Sequence, residues 1–117
     1  MSSVEVMRPW GKFEVIYQNP TKTVTVKLIT VNPHSRLSLQ YHRKRTEVWT
    51  CLTGSVVVEL EQQESKLKEG EQFTVPQGKV HRMSAEERTE ILEVSLGPFD
   101  EQDVVRLQDD YGRTGKT

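Results

Sequence analysis

The amino-acid sequence predicts an all-β domain, a closed or sandwiched antiparallel structure built from many short strands. Apolar and β-branched residues recur in short segments, of which residues 23–31 (TVTVKLITV) are the clearest. Glycine, proline and polar pairs divide these segments at regular intervals. Helical periodicity is weak along the whole chain, and only residues 100–107 favour a short turn or helix.

The strands can be assigned in chain order. The first covers residues 23–31 and ends at the turn dipeptide Asn32-Pro33. The later candidates are residues 36–40, 47–52, 55–61, 65–68, 72–76, 81–84 and 89–95. Ahead of them, Arg8-Pro9-Trp10-Gly11 is interpreted as an N-terminal arm that closes one edge of the barrel, with Trp10 buried against it.

Composition restricts the class of protein. A chain of 117 residues suits one domain, and its net charge of −1, from 16 basic and 17 acidic residues, argues against binding to nucleic acid. No apolar run approaches the roughly 18 residues that crossing a membrane requires. The N-terminus lacks the basic and apolar regions of a signal peptide, so we expect a cytoplasmic protein. The lone Cys51 lies in an alternating segment and is expected to be a buried structural thiol.

Two short blocks carry residues that could bind a metal. The blocks read Gln40-x-His42-x4-Glu47-x6-Gly54, then Gly70-x5-Pro76-x-Gly78-x2-His81. As hairpins of a small barrel they would bring together four ligands for one divalent metal: Gln40, His42, Glu47 and His81. Two imidazoles with carboxylate and amide oxygens suit Zn, Mn, Co, Ni or Fe. Four protein ligands would leave coordination positions open, which is typical of a reactive centre.

The spacing of these blocks resembles the two-part cupin signature. Its general form is G-x5-H-x-H-x4-E-x6-G, then G-x5-P-x-G-x2-H-x3-N. The resemblance implies a cupin fold, a double-stranded β-helix or jelly-roll barrel. Three positions depart from it: His34 stands at the first glycine, Gln40 at the first histidine and Ala85 at the closing asparagine. The resulting Gln-His-Glu-His set is similar to that of phosphomannose isomerases rather than dioxygenase cupins.

The resemblance then extends over residues 8–113. The motifs that carry it are Arg8-Pro9-Trp10-Gly11, Leu37-Ser38-Leu39-Gln40-x-His42-x2-Arg45-x-Glu47-x-Trp49, Ile91-Leu92-Glu93-Val94 and Asp103-Val104-Val105-Arg106-x2-Asp109-x-Tyr111-Gly112-Arg113. Together they resemble the type II mannose-6-phosphate isomerase domain, often the C-terminal part of a bifunctional mannose-1-phosphate guanylyltransferase. The resemblance implies one divalent metal, a sugar-phosphate substrate and a homodimer. Lys44 and Val48 replace histidines that are common in the family, so the metal would depend on the four ligands above.

Such an isomerase needs a side chain that moves a proton between two adjacent carbons. Glu93 is the candidate, because it alternates with Ile91 and Ser95 on one face of a predicted strand. If that face lines the pocket, partial burial would raise the pKa of Glu93 towards a useful range. If it faces outward, Glu93 is an ordinary solvated strand residue.

The phosphate of the substrate requires cations. Lys27 interrupts an otherwise apolar strand face, and Arg45 lies inside the ligand loop. Arg106 and Arg113 belong to the C-terminal motif, and the family resemblance favours substrate contact for Arg106. We therefore expect Arg106 to act with Glu93 in catalysis, and Lys27, Arg45 and Arg113 to bind substrate. Surface ion pairing is the alternative for Arg113, beside Asp109 and Asp110.

Two other functions remain open from the sequence. One is a cupin oxygenase acting on a small molecule. Gln40 and Lys44 argue against it, because they stand where a typical three-histidine iron site would have histidines. The other is a non-enzymatic metal-binding or sugar-binding module that retains the barrel. The fold alone does not distinguish them.

Overall fold

The computed structural model describes residues 4–100, 102–113 and 115–116, and it confirms the all-β prediction. The described residues form strands and turns but no helix. The strands are β1 (Val4–Arg8), β2 (Gly11–Gln18), β3 (Val24–Val31), β4 (Ser35–Arg36), β5 (Leu39–Tyr41), β6 (Thr46–Thr53), β7 (Ser55–Leu60), β8 (Gln63–Lys68), β9 (Gln72–Val75), β10 (His81–Ala85), β11 (Thr89–Leu96), β12 (Val105–Gln108) and β13 (Gly115–Lys116). Within those ranges there is accordingly no helix with the length and hydropathy needed to cross a membrane.

Two antiparallel sheets face each other. Sheet one has the strand order β1-β2-β3-β11-β6-β9, and sheet two has the order β13-β12-β5-β10-β7-β8, with β4 paired to β10. Both sheets contribute inward side chains to one core, including Val31, Trp49 and Ile91 from sheet one and Val58 and Met83 from sheet two. Because strands alternate their side chains between faces, each sheet buries one face and exposes the other.

The structure corrects the sequence prediction at both ends of the barrel. Of the residues expected to form a short turn or helix, 100–107, the first part makes a turn in which the Asp103 backbone nitrogen donates to the Asp100 carbonyl oxygen. Residues 105–108 instead form β12, because pairing with β5 satisfies their backbone. The interpreted N-terminal arm is part of a full β-hairpin, β1–β2, although Trp10 in its turn is buried as expected. The buried position expected for Cys51 is confirmed.

The glycines of the two sequence blocks lie where the backbone is left-handed. Gly54, Gly70 and Gly78 have φ values of 79°, 86° and 79°. His34, which stands at the first glycine position of the signature, has a φ of 54°. That position therefore keeps the glycine-like backbone conformation without a glycine, at a cost of about 1–2 kcal/mol.

Gly54→Ala should destabilise the fold far more than Gly70→Ala. A Cβ at Gly54 would lie 2.5 Å from Thr89 Oγ1 and 2.8 Å from the Arg88 carbonyl oxygen, whereas one at Gly70 would meet nothing within 4 Å. Backbone strain and overpacking together predict a loss of about 2–4 kcal/mol at Gly54, against about 1–2 kcal/mol from strain alone at Gly70. Urea unfolding measures both variants. Equal losses would contradict the steric argument.

Candidate active site

The register of sheet one places charged and polar side chains side by side on its inner face. Glu93 on β11 pairs with Lys27 on β3 and with Trp49 on β6. In the neighbouring inward row, Ser95 pairs with Glu47. All five side chains are buried, so the face of Glu93 is the inner one. Strand alternation predicted which residues share a face with Glu93 and with Lys27 but left the direction of the Glu93 face open, and pairing between strands brings the two side chains together.

Sheet two supplies the opposite wall. His81 on β10 pairs with Gln40 on β5, and Gln40 pairs in turn with Arg106 on β12. His42 follows directly after β5, where its carbonyl oxygen accepts a 2.7 Å hydrogen bond from the Gly78 backbone. Gly78, in the second sequence block, thus helps to fix the loop that carries His42, in the first block.

His42, Glu47 and His81 converge. Their side chains are at most 4% exposed, and one candidate ligand atom from each lies within 4.8 Å of the other two. Glu47 Oε2 is 3.8 Å from His42 Nδ1, and Glu47 Oε1 is 3.8 Å from His81 Nε2. Two imidazoles and one carboxylate at this spacing could hold one divalent ion.

The hydrogen bonding of His81 fits a metal ligand. Its Nδ1 lies 2.9 Å from the Lys79 carbonyl oxygen, which accepts a hydrogen bond and leaves the Nε2 lone pair facing Glu47. That Nε2 atom is buried and has no hydrogen-bond partner among the described residues. A buried acceptor without a partner is costly, and a cation between the imidazole and the carboxylate would satisfy it.

Gln40 lies next to this trio. Its Nε2 atom is 3.4 Å from His42 Nε2, and its Oε1 atom accepts a hydrogen bond from Ser38 Oγ. A half-turn of the amide exchanges the two atoms, so that the oxygen faces His42 and the nitrogen donates to Ser38. Gln40 thus lies against His42 Nε2, whereas the His42 atom nearest Glu47 is Nδ1, and its role as the fourth ligand stays a prediction.

Burial controls the charges of this cluster. It lowers the pKa of His42 to about 3, so the imidazole is neutral at pH 7, as a metal ligand must be. Burial opposes ionisation of Glu47, but the adjacent imidazoles and Arg45 outweigh it and hold the pKa of that carboxyl below its usual range. Arg45 Nε donates to Glu47 Oε2 at 3.1 Å.

Glu93 has the opposite electrostatic character. Burial, together with the negative charge of Glu47, raises the pKa of Glu93 to about 7, although Lys27 and Arg45 oppose the shift. Trp49 Nε1 donates to Glu93 Oε1 at 3.1 Å, and Ser95 Oγ donates to Oε2 at 3.4 Å. The carboxyl is thus held in one orientation and can gain or lose a proton near neutral pH.

These groups open into one pocket. The pocket is lined by Gln40, His42, Glu47 and Glu93 and by the basic side chains of Arg8, Lys27, Arg45, Arg106 and Arg113. The four cations named from the sequence therefore all reach the same cavity. Arg113 also forms an ion pair with Asp109, which the sequence offered as the alternative to substrate binding; its Nε lies 2.9 Å from Asp109 Oδ2.

Aromatic rings hold some of the cations in place. The Lys27 ammonium lies 4.1 Å from the ring centroid of Phe13 and 4.4 Å from that of Phe99, and the Arg45 guanidinium lies 4.6 Å from Phe99. Such contacts stabilise a cation that has little access to water. Sequence reasoning missed these two phenylalanines and Arg8, since residues far apart in the chain give no local signal of a shared cavity.

The family of the chain follows from its sequence. Residues 1–109 match the family model described as mannose-6-phosphate isomerase C-terminal. The alginate biosynthesis protein AlgA of Pseudomonas aeruginosa is 37% identical over 115 residues, which are 96% of this chain and 24% of that protein. The mannose-1-phosphate guanylyltransferase of Klebsiella pneumoniae is 35% identical over 112 residues, or 93% and 23%. The chain spans about a quarter of the length of these relatives.

Solved structures show the same fold. CapF, a capsular polysaccharide assembling protein from Staphylococcus aureus, superposes with a TM-score of 0.80 at 15% identity, over 92% of this chain and 34% of that one. Pac13, a nucleoside dehydratase, superposes with a TM-score of 0.75 at 17% identity, over 92% and 86%. At these identities the likeness concerns the fold alone, and it confirms the cupin barrel.

Proposed function

The chain belongs to the mannose-6-phosphate isomerase C-terminal family, and from that premise we propose that it is a metal-dependent isomerase interconverting mannose 6-phosphate and fructose 6-phosphate. One observation carries the proposal. A buried carboxyl with a pKa of about 7, Glu93, lies beside the cluster of His42, Glu47 and His81 in a pocket lined by basic side chains. Aldose–ketose isomerisation requires a proton carrier, an electrophile and an anion site, and this pocket contains side chains suited to each.

The proposed metal ligands are Gln40, His42, Glu47 and His81, and the ion is Zn, or Mn, Co, Ni or Fe. Support comes from the lone pair of His81 Nε2, which faces Glu47, and from the neutral state of His42. When bound, the ion supplies Lewis-acid stabilisation of the charge that develops on the carbonyl oxygen.

In the proposed reaction Glu93 acts on the carbon skeleton. Its carboxylate removes the proton from C2 of the aldose and returns it to C1, while the hydroxyl proton on O2 moves to O1, which leaves the ketose. The hydrogen bonds from Trp49 and Ser95 orient the two carboxyl oxygens for this transfer. A pKa near the working pH suits a group that must both accept and donate a proton.

Arg106, Lys27, Arg45 and Arg113 are proposed to hold the phosphorylated sugar. Arg106 shares a row of sheet two with Gln40 and His81, which supports contact close to the reacting carbons. The remaining cations offer the bidentate and point-charge contacts that a phosphate prefers. The expected homodimer stays a prediction.

His81→Ala should weaken metal binding strongly, since it removes a ligand, and should cause little unfolding. In the wild-type protein, metal at about 100 times its dissociation constant should stabilise the fold by about 2.7 kcal/mol. The variant should lose most of this gain and all turnover. His34→Ala is the matched control, because His34 is exposed and paired with Glu86. Calorimetric titration with zinc measures affinity, and unchanged zinc affinity in His81→Ala would rule out the ligand set.

Glu93→Gln should lower turnover by about 10²–10⁴-fold while the metal stays bound, because the amide cannot carry the proton. The assay incubates metal-loaded protein with mannose 6-phosphate in deuterated water. Fructose 6-phosphate should form, with deuterium at C1 or, after reversal, at C2 of the aldose. If wild-type protein with bound metal isomerises no hexose phosphate, the chain is a binding module instead.

Arg106→Ala should raise the dissociation constant of mannose 6-phosphate by about 10–100-fold, the loss expected for a charge-assisted hydrogen bond. The free energy of unfolding should change much less. Arg88→Ala is the control, because Arg88 is exposed and pairs with Glu90 at 3.8 Å. Equal losses of affinity and stability would identify Arg106 as a structural ion-pair residue.

A further inference from the structure

The C-terminal segment, residues 103–113, forms one wall of the pocket. It contributes Val104, Arg106 and Arg113 to the lining. Yet among the described residues from 102 to 113 only Val104 is buried, while Leu107 and Tyr111 are 51% and 38% exposed. Apolar packing therefore accounts for little of the position of this wall, and polar contacts must hold it.

The first polar anchor ties the segment to the ligand loop. The Asp103 carboxylate accepts 3.0 Å hydrogen bonds from the backbone nitrogens of Arg43 and Lys44, the two residues after His42. This contact fixes where the segment starts. It leaves open what fixes the segment beyond Arg106.

Arg82 provides the second anchor. It lies on β10 next to His81 but alternates to the other face, and it is only 3% exposed. Its guanidinium donates to the Leu37 carbonyl oxygen at 2.9 Å, to Gln108 Oε1 at 2.8 Å and to the Gln108 carbonyl oxygen at 3.2 Å. One side chain thus joins the connection between β4 and β5 to the last residue of β12.

A third anchor follows two residues later. Arg36 donates to Asp110 through Nε at 2.6 Å and through a terminal nitrogen at 2.7 Å. Asp109, between these anchors, accepts from the backbone and side chain of Arg113. The hydrogen bonds of Arg82 to Gln108 and of Arg36 to Asp110 flank Asp109, and they therefore determine where the Arg113 guanidinium enters the pocket.

We propose that Arg82 is a positioning residue for the phosphorylated substrate: it fastens Gln108 to the barrel so that Arg106 stays beside Gln40 and Arg113 stays at the pocket wall. This role rests on the proposed function of the pocket as a sugar-phosphate site. Arg82 uses three donors in a planar fork, which lysine cannot reproduce although it keeps the charge.

Arg82→Lys tests the proposal in the full chain with metal bound. The KM of mannose 6-phosphate and its dissociation constant should both rise about tenfold, which equals about 1.4 kcal/mol, whereas kcat should change little because Glu93 and the metal ligands are untouched. Hydrogen exchange at the amides of residues 105–108 should accelerate, with β6 unchanged. Arg88→Lys, at an exposed arginine, should alter none of these quantities.

Asp110→Asn is the second variant, and it serves if Arg82→Lys fails to fold. It weakens the exposed Arg36 pair while every hydrogen bond of Arg82 is kept, and it should shift the same quantities in the same direction by a smaller factor. Unchanged substrate affinity in a folded Arg82→Lys protein would overturn the proposal, whether or not exchange accelerates. A fall in kcat with KM retained would also overturn it, since that pattern indicates a role in the chemical step.

Inorganic phosphate separates this inference from the proposed reaction. Wild-type protein that binds phosphate and mannose 6-phosphate but isomerises neither aldose nor ketose would contradict the proposed isomerase activity. The positioning role of Arg82 would then still be decided by the dissociation constants of the Arg82→Lys variant. If wild-type protein binds neither compound, the pocket is no phosphate site and the positioning role falls with it.

Discussion

The structure depends on keeping two carboxyl groups, Glu47 and Glu93, inside a small barrel. Both side chains are buried, and each would be costly there without compensation. The two are compensated differently. Glu47 stays ionised at neutral pH against the Arg45 guanidinium, whereas burial and the negative charge of Glu47 raise the pKa of Glu93 to about 7. One pocket thus contains a carboxylate that stays ionised and a carboxyl that titrates near neutral pH.

Antiparallel register makes this arrangement possible. Cross-strand pairs share a face, so one inward row of sheet one carries Ile29, Ile91 and Cys51, and the next carries Lys27, Glu93 and Trp49. The apolar row belongs to the packed core together with Trp49, while Lys27 and Glu93 line the open pocket. A shift of one residue in either pairing would send Glu93 to the outer face and separate it from the imidazoles.

The two sides of the pocket are held by different forces. Sheet one is fixed by the core and by the rings of Phe13 and Phe99, which pack on the cations that border Glu93. The C-terminal wall is fixed mainly by hydrogen bonds of Asp103 and Arg82 to backbone groups. Segments with few buried apolar contacts open more easily than a core. Glu93, Glu47 and Lys27 therefore lie on the side held by the core, whereas Arg106 and Arg113 lie on the wall held by polar contacts.

The sequence by itself determined the all-β class, most strand positions and the residues that share a strand face, because these depend on local alternation and turn residues. Spacing also identified Gln40, His42, Glu47 and His81 as a set, and the structure brings them together. Only the tertiary structure decided that the face of Glu93 is the inner one, that residues 105–108 form a strand, and that Arg82 clamps it. Those outcomes depend on which strands pair and on how much water each group loses, and neither is encoded in local sequence.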